Sequence, residues 1–90
     1  MTSERFAEIM NSSNIECKLS ELNDCNAFIG LQIIRKYLPK KGVEGASHDT
    51  IYSVSISQIV DAGITEEDAI RLRELNWMLD ENQHGLACFV

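Results

Sequence analysis

Ninety residues, with 14 acids against 8 bases and a formal charge of −6, make one domain with a thin core, since a chain this short hides only roughly 60% of the surface it exposes when unfolded. A composition of 44% hydrophobic and 24% charged residues excludes disordered, collagen-like and mucin-like classes, and the acidic balance speaks against general binding of nucleic acid or anionic membrane through phosphate neutralisation. No apolar run approaches the ~20 residues that cross a bilayer, and Met1 to Glu8 lack the basic start and apolar core of a signal peptide, so a cytoplasmic protein is expected.

The whole chain, 1–90, reads as a single domain. Residues 1–14 offer Thr2 or Ser3 as a cap, then Phe6, Ile9 and Met10 at helical spacing, then the breaker run Asn11 to Asn14. They read as a short helix or a mobile arm. Ile15, Leu19, Leu22, Asn26, Ile29 and Ile33 recur at spacings of four and three, as along a coiled-coil seam. The seam is too short to stand alone, and Asn23-Asp24 is a natural cap, so a turn or short helix is expected over 15–22 and a long helix over 24–38.

That long helix is apolar over much of its circumference (Phe28, Ile29, Leu31, Ile33, Ile34, Tyr37, Leu38), which predicts a central helix packed on a sheet. Arg35, Lys36, Lys40 and Lys41 suit the negative helix end, and Pro39 and Gly42 stop it. Residues 42–50 read as a loop. A strand over 51–55 is expected to put Tyr52 and Val54 on one buried face between serines.

Ser55-x-x-Gln58 has capping-box spacing and predicts a helix over 56–62 ended by Gly63. Thr65-x-x-Asp68 predicts a second box and a helix over 66–75 with Ala69, Ile70, Leu72 and Leu75 inward. Trp77 and Leu79 then share a strand face, Asp80 to Gly85 supply a polar turn, and 86–90 resume an apolar strand. The sum is an α+β domain: a small three-stranded sheet (about 51–55, 76–81, 86–90, the last two a hairpin) on the long helix over 24–38, with two further short helices (about 56–62 and 66–75).

An Ile-Ile-Arg-Lys-Tyr-x-Pro helix end, His-Asp-x-Ile-Tyr, Glu-Glu-Asp-Ala, and Leu-x-x-Leu-x-Trp-x-x-Asp-Glu followed by Cys-Phe-Val resemble a group of small uncharacterised proteins of bacteria and their phages. The resemblance spans roughly 24–90. Asn76 stands where that group commonly has a glycine, and Leu86 where it often has an aromatic residue; Asn tolerates the left-handed backbone region, so the first change is compatible with the same turn. No activity attaches to the group, so the resemblance implies fold and a phage or prophage provenance only.

Chemistry is sparse. Three cysteines, Cys17, Cys25 and Cys88, without CxxC spacing indicate packed thiols, not a disulfide framework or zinc cluster. His48-Asp49 invites a metal-dependent reading, but one other histidine is too few ligands; local hydrogen bonds fixing the loop are expected instead. His84 and Cys88 would lie roughly 13 Å apart along a strand, too far for a catalytic pair. Phosphate-loop, dinucleotide and nucleophile-elbow motifs are absent. Trp77 reads as core before interface anchor.

The expected function is therefore a non-enzymatic, cofactor-free and metal-free protein-interaction domain, compatible with a homodimer. Glu66, Glu67, Asp68, Asp80 and Glu81 are the candidate partner-binding residues. Two alternatives stay open: an acidic inhibitor that occupies a basic groove of a nucleic-acid-handling or defence protein by charge mimicry, and contact with nucleic acid through the Arg35 to Lys41 cluster.

Overall fold

The computed structural model describes residues 1–18 and 26–89. Its elements run α1 (Ser3–Met10), α2 (Asn26–Tyr37), β1 (Gly45–Ser47), β2 (Thr50–Ser55), α3 (Ile56–Asp61), α4 (Glu66–Glu74), β3 (Trp77–Leu79) and β4 (Gly85–Phe89). The class is α+β, as expected, but the antiparallel sheet has four strands in the order β1-β2-β4-β3. The expected cap at Asn23-Asp24, the seam positions Leu19 and Leu22, Cys25 and Val90 lie outside the described residues.

The amino-terminal stretch is a helix, not an arm. Thr2 caps it by accepting the Arg5 amide at 3.1 Å, and Phe6, Ile9 and Met10 are buried to 2% exposure or less. This short amphipathic helix thus places three large side chains in the core, more than the longer α2 does. In α2 only Gly30 and Ile34 are buried, and Phe28 is 62% exposed. The expectation of a central helix therefore fails: a helix apolar on several sides has here been placed at the flank, with Ile29, Leu31, Ile33 and Tyr37 half-buried.

Gly30 is what brings α2 close. A Cβ at that position would fall 1.9 Å from Trp77 Nε1, so the indole lies directly against the helix backbone. Asn26, the polar member of the seam, completes the contact: its carbonyl accepts Trp77 Nε1–H at 3.1 Å, and its Nδ2 donates to the Leu75 carbonyl at 3.0 Å and to Cys88 Sγ at 3.3 Å. The buried indole donor is thus satisfied, as burial demands.

The segment expected to be a loop over 42–50 holds β1, which pairs with β2 from Gly45↔Tyr52 to Ser47↔Thr50. Gly-Ala-Ser has no β-branched or aromatic residue to announce a strand; pairing with β2 creates it. His48-Asp49 form the two-residue turn, with His48 in the left-handed region at φ 55°, where His is enriched. The pair thus acts through the turn backbone; the expected side-chain hydrogen bonds are not found among the described residues.

A bulge in β2 overturns the expected Tyr52 and Val54 face. Tyr52 pairs with Ala87 but Ser55 with Gly85, so Ser53 and Val54 together oppose Leu86 and the alternation slips by one residue. Ile51 and Val54 then face the core, and Tyr52 faces away beside Met78, Ala87 and Phe89.

The α3 signals hold as read. Ser55 accepts the Gln58 amide at 3.2 Å and its own amide donates to Gln58 Oε1 at 3.0 Å. Gly63, at φ 92°, ends the helix in a Schellman motif: Ile64 N–H donates to the Ile59 carbonyl and Gly63 N–H to that of Val60. Ser55→Ala is expected to cost about 1 kcal/mol, seen as a fall in melting temperature of roughly 4–8 °C. The predicted second box forms only by half: Thr65 caps Asp68 N–H at 3.1 Å, but the Asp68 carboxylate turns away to Lys36 and Tyr37. Asn76 follows α4 at φ 64°, in the left-handed region that Asn tolerates.

Trp77, Leu79, Leu86 and Cys88 point from β3 and β4 into one core with Phe6, Ile59, Leu72 and Leu75. The predicted strand over 76–81 shrinks to Trp77–Leu79 because Asp80 starts the turn. Its Oδ1 accepts the amides of Asn82 (3.1 Å) and His84 (3.0 Å), and its own amide donates to the Gly85 carbonyl.

Candidate interaction site

The five acids expected to meet a partner do not form one surface. Glu66, Glu67 and Asp68 occupy the first turn of α4, where carboxylates suit the positive helix end, and line a depression along that helix with Ile70, Arg71 and Glu74. Asp80 and Glu81 border a different one, on the sheet. Two of the first three are also engaged within the fold. Glu66 pairs with Arg5 at 2.5 Å, and Arg5 is shared with Glu8. Asp68 pairs with Lys36 at 2.8 Å and accepts the Tyr37 hydroxyl.

The Lys36 ammonium, followed by the Tyr37 hydroxyl, holds the Asp68 carboxyl below its ordinary value of 3.8. A lowered carboxylate contributes stability that is present above the ordinary value and is lost as pH falls through the lowered one. Asp68→Asn is therefore expected to flatten the loss of stability below about pH 4, checked by urea unfolding at about pH 6 and about pH 3. An unchanged acid limb would place the proton uptake elsewhere.

Three of the four bases in the cluster, all but Lys40, are likewise engaged within the fold. Arg35 donates to the Pro39 carbonyl at 2.6 Å, Lys36 serves Asp68 and lies 5.3 Å from the Tyr37 ring centre, and Lys41 pairs with Glu44 at 3.4 Å. Cys88 sits on the core face of β4, with burial pushing its thiol up to about 11 against the opposing Asn26 hydrogen bond, so it is a neutral packed thiol at pH 7. His84 is exposed in the turn, and its backbone carbonyl accepts the Ile56 amide. Among the described residues, no three His, Cys, Asp or Glu side chains are grouped to hold a metal ion, and no helix is long and apolar enough to cross a membrane.

The surface that composition and motif did not reveal is the outer face of the sheet. Tyr52, Ala87 and Met78 stand in one cross-strand row and Thr50 pairs with Phe89 beside it, opposite the face that bears the core. Phe89 is 53% exposed. Tyr52 and Met78 are half-buried, and Ala87 forms the floor. These residues enclose a shallow depression of about 110 Å³ with Asp80 and Glu81 at its border. A signal was available: Leu86, Ala87, Cys88 and Phe89 are apolar at every position, and a strand of that kind carries apolar groups on both faces.

Compared with protein-family models, with curated proteins and with solved structures, the chain matches none.

Proposed function

We propose that this chain is a non-enzymatic protein-interaction domain that docks a partner protein on the outer face of its sheet. The observation that carries this reading is Phe89, more than half exposed on a sheet whose opposite face holds the core. An exposed aromatic ring continuous with Tyr52 and Met78 is apolar surface that a partner can cover. The accessory role in a phage or prophage rests on the sequence resemblance. Charge mimicry by the five acids is the weaker account, because Glu66 and Asp68 already satisfy cations of the same chain.

Affinity capture with wild-type protein and with Phe89→Ser as parallel baits tests the reading. A protein retained by the first and lost with the second supports it. Partners held equally by both baits, together with an unaltered fold, would place the binding surface elsewhere.

A further inference from the structure

The outer-face depression has a defined chemistry. Its floor and walls are Ala87, Met78, Tyr52 and Phe89, and its border carries two carboxylates, Asp80 and Glu81, with no cation among its lining residues. Asp80 uses Oδ1 for the turn amides, which fixes the carboxylate in place; neither its Oδ2 nor the Glu81 carboxylate has an ion-pair partner among the described residues. An apolar trough that ends at fixed negative charge complements a side chain with an aliphatic stem and a cationic head. Two carboxylates at one end suit a planar guanidinium better than a compact ammonium, because arginine binds carboxylates in a fork.

We infer that this depression receives an arginine side chain of a partner protein, its stem on Ala87 and Met78 and its guanidinium between the Asp80 and Glu81 carboxylates. The inference rests on the docking face proposed above and names what that face recognises. Apolar neighbours of the arginine cover Phe89 and Tyr52, and the exposed carboxylates make association dependent on salt.

A displayed library of random peptides, selected on wild-type protein and re-measured on Glu81→Lys and Phe89→Ser, tests it. Both substitutions alter exposed side chains, and thermal melts verify that each variant folds. The expected result is enrichment of arginine flanked by apolar residues. The affinity of such a peptide should fall about tenfold or more on either variant, and by a similar factor when its arginine becomes glutamine. Replacing that arginine with lysine should weaken binding by a smaller factor.

Peptides that lose affinity on Phe89→Ser but carry no cation would overturn the arginine and leave the docking face standing. No selected peptide sensitive to Phe89→Ser, including no selected peptide at all, would overturn both. A dimer in light scattering that Phe89→Ser converts to monomer would show that a second copy of this chain covers the face, which also overturns the arginine.

Discussion

A chain ended at Leu86 is expected to lose cooperative folding altogether. Removing a final strand that lay at a sheet edge would merely shorten the sheet. Instead β4 lies between β2 and β3 and pairs with both. Losing Ala87 to Phe89 strips Thr50, Ile51 and Tyr52 of their partners on one side and Trp77 and Met78 on the other. It also removes Cys88 from the core, where it faces Trp77 and accepts the Asn26 amide. What would remain of the sheet is the β1–β2 hairpin and the stub pairs Ser55↔Gly85 and Leu79↔Leu86, and a two-stranded hairpin is at best marginally stable in water. Domains of this kind hold roughly 5–15 kcal/mol in total, too little to survive division of the sheet. Circular dichroism melts of the shortened and full chains decide the matter. A cooperative transition at the full-length temperature would mean that the core does not depend on β4.

The second large effect is Gly30→Ala. Helix propensity alone favours alanine over glycine by about 1 kcal/mol, so the substitution looks stabilising along the chain. The fold reverses the sign. The added Cβ would stand 1.9 Å from Trp77 Nε1 and 2.4 Å from Cε2, and the indole is 0% exposed with its donor held by the Asn26 carbonyl. Either α2 moves off the core or the ring leaves its pocket and its hydrogen bond. Overpacking of this kind costs typically 1–3 kcal/mol and more when nothing can yield, and a buried donor left unpaired adds about 1–3 kcal/mol. A net loss of roughly 3 kcal/mol is expected, read as a fall in melting temperature of 10 °C or more. In a Trp77→Phe background, which removes the indole atoms that collide, the same substitution should cost markedly less, a coupling that a double-mutant cycle measures. Additive effects would show that Gly30 and Trp77 do not press on one another.

The unexplained acidity of the chain acquires a division of labour in the structure. Glu66 and Asp68 join α4 to α1 and α2 through Arg5, Lys36 and Tyr37, while Asp80 builds the β3–β4 turn. Glu67 and Glu81, both exposed, have no salt bridge within the described fold. A residue's type told that it would be charged. Whether that charge was used inside the fold depended on which elements met.

Several features were readable along the chain because their causes act within about one helical turn. The Ser55 box, the Thr65 cap, the Gly63 terminator and the shared face of Trp77 and Leu79 all follow from neighbours a few residues apart. Long-range pairing settled the rest. It made a strand of Gly45–Ser47, put β4 at the sheet centre, turned Tyr52 outward through a bulge and set α2 at the flank with Gly30 under Trp77. The candidate site belongs to this second group, since Tyr52, Met78, Ala87 and Phe89 come from three strands and become one surface only when those strands align. Local signals specify where elements begin and end; which face each element buries is a property of what lies across from it, and that is decided by the assembled core.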